Sequence, residues 1–229
     1  MAAVTSSSVL PHAAWHLVTR FGEAGILLPC ALLLAAWLAL ATRDWRPVLG
    51  WLMPLAVAAT LTTLSKIAFL GFGIGIASLD FTGFSGHSMF AAAVYPMLAY
   101  AASARLGMAW RIPAIGTAYV FALLVAVSRY WLEAHSPSEI VLGFALGTAA
   151  SASAMVALRG TAHLALPRAL AFVLAFWLAW TPREPVLLPS HQIVTRVSLK
   201  LSGRSVPFTR ADLHRAHLST ADKKKPRTA

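Results

Sequence analysis

The sequence predicts an all-α fold: a polytopic transmembrane helical bundle of about six spans with a short extramembrane C-terminal tail. Of the 229 residues, 58% are hydrophobic and only 12% are charged, against roughly 25% charged in soluble domains. The apolar residues collect in runs near the length that crosses a hydrocarbon layer, about 20 residues. The formal net charge is nevertheless +11, because residues 181–229 hold 10 basic and 3 acidic side chains while residues 1–180 hold 9 and 5. An apolar body with a basic tail excludes intrinsic disorder, a secreted disulfide scaffold and an ordinary soluble nucleic-acid binder.

Residues 1–24 are too polar to span; Trp15, Leu17, Val18 and Phe21 form one face of an interfacial helix with Arg20 near its end. No basic stretch precedes the first apolar run, so a signal peptide is not expected. The transmembrane domain is residues 25–181, with spans at 25–42, 48–70, 87–105, 112–130, 138–158 and 163–181. The last is interrupted by His163, Pro167 and Arg168. Trp45, Trp51, Trp110, Trp131, Trp177 and Trp180 fall near span ends, the pattern of interfacial aromatic belts. Cys30, the single cysteine, lies within the first span and reads as packing. Gly143, Gly147 and Ser151 make a small-residue stripe suited to close helix contact.

Residues 182–229 form the basic tail. Val197, Leu199 and Leu201 alternate with polar residues before the turn signal Ser202-Gly203, which favours a small β-hairpin; residues from about 219 onward read as disordered. Orientation follows from the short loops. Arg43, Arg46, Arg105, Arg111 and Arg159 mark one side as cytoplasmic, whereas Asp80 and Glu133 lie on the other with no Lys or Arg in their loops. Six spans place both termini outside, periplasmic in a Gram-negative cell. A last segment that fails to span would leave the tail in the cytoplasm.

Ionisable and polar residues in or beside spans are costly, so each is a functional candidate. Lys66 ends span two, Ser85-Gly86-His87 opens span three, Ser128-Arg129 ends span four, and His135 with Glu139 opens span five. Alternating direction brings all four groups to the external face. Ser85 is placed to cap the third helix, and Ser136-Pro137-Ser138-Glu139 has the form of a capping box with Pro at the first helical position. Helix N-termini offer unpaired N–H groups to anions. Arg129 offers a planar fork to phosphate oxygens and Lys66 a point charge. Two cations and two helix starts around two histidines describe a phosphate pocket, in which the histidines serve as nucleophile and general acid.

These residues resemble the type 2 phosphatidic acid phosphatase and vanadium haloperoxidase superfamily, in its membrane lipid phosphatase branch. The family motifs are K-x6-R-P, P-S-G-H and S-R-x5-H-x3-D. Ser128, Arg129, His135 and Glu139 match the third with Glu for Asp; Ser85, Gly86 and His87 match the second after Phe84; Lys66 matches the start of the first, where Gly73-Ile74 stands in place of Arg-Pro. The resemblance covers about residues 60–145. It implies that His135 attacks phosphorus, Glu139 orients His135, and His87 protonates the leaving oxygen. Lys66, Ser85, Gly86 and Arg129 would hold the phosphoryl oxygens. No metal or other cofactor is implied.

Two departures stand out. The Arg absent at position 73 removes a phosphate clamp, for which Arg183, Arg196 or Arg204 of the tail are candidates. In addition, the capping role of Glu139 competes with orienting His135. The expected partners are a lipid phosphate substrate and membrane lipids, with no nucleic acid. The expected reaction is hydrolysis at the external leaflet of a bacterial inner membrane. A phosphotransferase, or a catalytically silent lipid-binding or scaffolding member, are the alternatives. Asp80 reads as a solvated turn residue, and His12, His16, His163, His191, His214 and His217 as ordinary surface or interfacial residues.

Overall fold

A computed structural model describes residues 12–159, 166–181 and 190–223, the side chains from 219 onward excepted. The described chain is helical: α1 (His12–Arg20), α2 (Ala24–Thr42), α3 (Arg46–Phe72), α4 (Gly86–Ala102), α5 (Met108–Trp131), α6 (Pro137–Ala157), α7 (Arg168–Trp180), α8 (Ser190–Ser202) and α9 (Arg210–Lys223). The segment His12–Thr42 and helices α3, α5 and α6 are long and apolar enough to cross a membrane. Helix α4 has 17 residues and α7 has 13, about 25 and 20 Å at 1.5 Å per residue. The protein is an integral membrane helical bundle.

Small side chains explain why α4 sits at the centre. Ser88, Met89 and every residue from Ala91 to Met97 are buried. A Cβ added at Gly147 would lie 2.1 Å from the Met89 carbonyl oxygen, and one at Gly143 2.6 Å from that of Ser85. The two backbones therefore meet directly along this edge. Ser151 donates to the Ala92 carbonyl oxygen at 2.8 Å, which completes the stripe. Cys30 is buried in the same core.

Contacts at the helix ends fix the up-and-down order. At one end Gly50 lies against Ala157, and Tyr100 donates to the Leu158 carbonyl oxygen at 3.1 Å. At the other, Trp177 donates its indole N–H to Ile26 at 3.0 Å. The ends of α3 and α5, the starts of α2, α4 and α6, and the last turn of α7 thus share one end of the bundle, as an up-and-down chain requires. The start of the sixth proposed span, with His163, lies outside the described residues, as do Arg183, residues 1–11 and residues 224–229.

The aromatic belt needs correction. Trp45, Trp110 and Trp180 are exposed, but Trp51 is buried in the core, Trp131 stacks on Trp15 of α1 with ring centroids 6.0 Å apart, and Trp177 hydrogen-bonds to α2. Those three are packing residues. The tail is also helical where a hairpin was expected, and its helix α9 continues through residues 219–223. Residues 190–202 contain no Gly or Pro, so nothing interrupts a helix before Gly203, which takes a left-handed φ of 69°. Helical geometry also lets the Ser198 backbone approach Gly71 of α3, where a Cβ would sit 2.9 Å from its carbonyl oxygen.

Candidate phosphate-binding site

Where the ends of α3 and α5 meet the starts of α4 and α6, the bundle opens into a cavity of about 450 Å³. Lys66, Gly86, His87, Arg129 and His135 all line it, together with Thr82 and Gly83 of the α3–α4 loop and Gly22 of the α1–α2 turn. Four sequence-distant groups therefore converge on one volume. The Lys66 and His87 side chains have no hydrogen-bond or ion-pair partner among the described residues. Arg129 donates from Nη1 to Thr19 at 2.7 Å, whereas its buried Nε is unpaired.

Helix starts shape the floor. Ser85 caps α4: its Oγ accepts from the Ser88 amide at 3.5 Å and the Ser88 hydroxyl at 2.9 Å. The fully buried Ser85 side chain is committed to its own helix and is not among the lining groups, unlike the expectation that it would hold phosphate oxygens. What it contributes is the cap, which leaves the first-turn amides of Gly86 and His87 without intrahelical acceptors. Gly22 lets the α1–α2 turn press against this helix start. A Cβ there would lie 2.8 Å from the Cβ of His87 and 2.7 Å from Val125.

Behind His135 stands a saturated carboxylate. Glu139 is fully buried. Its Oε2 meets His135 Nδ1 at 2.7 Å and accepts from the Ser136 amide at 3.2 Å, so one oxygen both closes the capping box and orients the imidazole. The expected competition between those roles does not arise, because Glu at the third helical position reaches back past its own N-cap. The other oxygen accepts from the Thr82 amide at 2.7 Å and the Thr82 hydroxyl at 2.5 Å. A carboxylate facing Nδ1 favours the tautomer with Nδ1–H, leaving Nε2 with a lone pair. Burial pulls the His135 pKa below 6.5; its bond to Glu139 opposes that shift, and Lys66 and Arg129 add to it.

Thr82 and Arg210, which sequence reading passed over, matter here, as do Asp80, His214 and His191, which it read as ordinary. Thr82 holds Glu139 from the loop. Arg210 of α9 donates to Glu139 Oε2 at 3.0 Å and also pairs with the Asp80 carboxylate, while His214 approaches Asp80 at 2.8 Å. Asp80 is therefore a turn residue that is paired as well as partly solvated, its side chain 39% exposed, and His214 has a partner. His191 of α8 lines the cavity, its pKa lowered by burial and by the nearby Lys66 ammonium. Position 73 is the left-handed C-cap of α3 at φ 71°, and Phe208 packs 3.1 Å from where a Cβ would be. An Arg there would be strained and would point at the tail. Arg196 and Arg204 do not line the cavity; Arg204 stacks on Phe208 instead.

The model of the PAP2 superfamily matches residues 22–162. A protein described as "Uncharacterized 22.5 kDa protein in cps region" from Klebsiella pneumoniae is 33% identical over 215 residues, which is 88% of this chain and 98% of that protein. Phosphatidylglycerophosphatase B of Bacillus subtilis (strain 168) is 30% identical over 139 residues, covering 57% of this chain and 66% of its own length. No solved structure matches the chain.

Proposed function

Because the chain belongs to the PAP2 superfamily, we propose that it is a membrane phosphatase that hydrolyses a lipid phosphate or isoprenyl diphosphate at the external leaflet through a phosphohistidine. Family membership and the similarity to a phosphatidylglycerophosphatase support a phosphatase-type lipid enzyme. The observation that carries the finer reading is the His135–Glu139 pair, set against a cavity walled by Lys66, Arg129 and the N-terminus of α4.

In this reading the Nε2 lone pair of His135 attacks phosphorus, and the bond from phosphorus to the leaving oxygen breaks. His87 gives that oxygen a proton. A water then attacks the phosphohistidine, His87 takes its proton, and the P–N bond breaks to release inorganic phosphate. Lys66, Arg129 and the free amides of Gly86 and His87 neutralise charge on the phosphoryl oxygens, where preorganised donors stabilise the transition state most. Leaflet assignment rests on Arg43, Arg46, Arg105, Arg111 and Arg159, which lie at or beyond the opposite ends of the spans from the cavity.

The test is phosphate release from purified full-length protein in detergent mixed micelles. The panel is phosphatidylglycerophosphate, phosphatidic acid and undecaprenyl diphosphate, each with wild type and His135→Ala. Release by wild type and a loss of about 10³-fold or more in the variant is expected. Equal release by the two proteins overturns the assignment of the nucleophile. Transfer of labelled phosphate to a second lipid in place of water would make the enzyme a phosphotransferase.

A further inference from the structure

The C-terminal segment lies outside the family-matched residues 22–162, yet one of its side chains reaches the centre. Thr209 and Asp212 cap the start of α9: Asp212 Oδ2 accepts from the Thr209 amide at 2.9 Å and its hydroxyl at 2.6 Å, and the Asp212 amide donates back to Thr209 Oγ1 at 3.3 Å. This cap puts Arg210 at the first helical position. The helix start is itself anchored, because the Phe208 amide donates to the Leu70 carbonyl oxygen at 2.9 Å and the Phe208 ring covers Gly73.

From that position the guanidinium divides its donors. One amino group donates to Glu139 Oε2, the same oxygen that meets His135 Nδ1. The other pairs with the Asp80 carboxylate and donates to the Asp80 carbonyl oxygen at 3.2 Å. Asp80 itself sits at a left-handed φ of 49° in the loop that also supplies Thr82 to Glu139. Both ends of the guanidinium are occupied by carboxylates, so it is not a substitute for the phosphate clamp absent at position 73. Its reach ends one residue behind the nucleophile.

We propose that Arg210 is a positioning residue: by holding the Glu139 carboxylate from the side opposite Thr82, it fixes and tunes His135, making α9 a working part of the catalytic centre. This rests on the reading of His135 as the reacting group. A carboxylate shared between a guanidinium and an imidazole stabilises the imidazolium less than one facing the imidazole alone. Arg210 therefore keeps His135 neutral and nucleophilic, while Ser136 and Thr82 keep Glu139 in place. The other charged or titratable groups around His135 are Glu139 on α6, Lys66 on α3, His87 on α4, Arg129 on α5 and His191 on α8, while Asp80 in the loop pairs with Arg210.

The experiment uses the full chain in detergent micelles with 15N-labelled histidine. The His135 resonance is identified by its loss in His135→Gln, and its titration midpoint is compared among wild type, Arg210→Gln and Arg210→Lys. Arg210→Gln should raise the midpoint by about half a pH unit or more, while Arg210→Lys, which keeps the charge, should stay near wild type. If Arg210→Gln does not fold, Arg210→Met, which keeps an aliphatic stem, is measured in its place. An unchanged midpoint overturns the proposal. Phosphate release from phosphatidylglycerophosphate micelles should fall about tenfold in kcat with KM changed less than twofold, as for loss of an outer hydrogen-bonding partner. Should wild type release no phosphate from any of the three lipids while the midpoint still moves, the phosphatase reading fails and what stands is the coupling of Arg210 to His135 through Glu139.

Discussion

The two sides of His135 are built on opposite principles. Behind it, Glu139 is fully buried and both carboxylate oxygens are bonded, to His135, Ser136, Thr82 and Arg210. In front, Lys66 and His87 have no hydrogen-bond or ion-pair partner among the described residues, and Arg129 uses only part of its fork. A saturated carboxylate holds geometry; it has nothing left to offer a ligand. Cations left unpaired beside a cavity cost stability in the empty protein. That cost is offset when an anion arrives. In the proposed mechanism, the difference separates the residues that place the nucleophile from those that meet the substrate.

The comparison breaks most readily at the front. Arg129→Ala should lower phosphate release by about 10²- to 10³-fold, the usual loss when one preorganised transition-state donor is removed. Lys66→Met should lose activity on a similar scale, yet its thermal midpoint should be unchanged or higher, because an uncompensated cation leaves the protein. A drop in that midpoint would mean Lys66 is structural, and the front would no longer differ from the back. Behind His135 the outcome reverses. Glu139→Gln replaces two acceptor oxygens by one and sets an amide N–H2 against existing donors, so it should lower activity and also stability, by about 1–3 kcal/mol for each buried group left unsatisfied. Differential scanning fluorimetry of the two variants in one detergent reads the contrast directly.

A smaller effect tests the frame around both sides. Gly22→Ala would place a methyl carbon 2.7 Å from Val125 Cγ1 and 2.8 Å from His87 Cβ, neither of them a flexible chain end. The α1–α2 turn must move, and His87 moves with it. A misplacement approaching 1 Å costs up to about 10²-fold in catalysis, so a loss of about tenfold in kcat is expected, together with a lower thermal midpoint, since overpacking of this kind costs about 1–3 kcal/mol. Full activity in Gly22→Ala would show that His87 does not need this contact to keep its place.

How far the sequence could be read follows from the range of each signal. Motifs set by local geometry were legible: the cap at Ser85, the capping box from Ser136 to Glu139, and the spacing that puts Arg129 and His135 on either side of one turn. Alternating span direction then supplied the long-range step that gathered Lys66, His87, Arg129 and His135. The Asp80, Arg210 and His214 cluster had no such guide, since its members lie 130 and 134 positions apart and the tail's path is not set by spans. The expected hairpin failed for a related reason. Val197, Leu199 and Leu201 alternate over too short a stretch to distinguish a strand from a helix, and packing against Gly71 decides between them. Ser85 shows a third limit, because sequence places the residue but not the direction of its hydroxyl.

The smallest predicted effect is also the one that separates front from back by sign. His135 sits below its ordinary pKa of 6.5 chiefly through burial. In the proposed mechanism its neutral form is the nucleophile, so the acid limb of kcat/KM should fall below pH 6.5, with activity lost as pH drops through the lowered value. Linkage runs the same way: between the two values the unfolded chain binds the proton more readily, so acidification below about pH 6.5 should also reduce stability. Lys66 lowers the His135 pKa and Glu139 raises it. Lys66→Met should therefore move the His135 titration midpoint up, while Glu139→Gln should move it down, both measurable by NMR even where turnover is lost. Shifts of the same sign in the two variants would mean that the groups do not act from opposite sides of the imidazole. Opposite signs would show that front and back bear on the same proton.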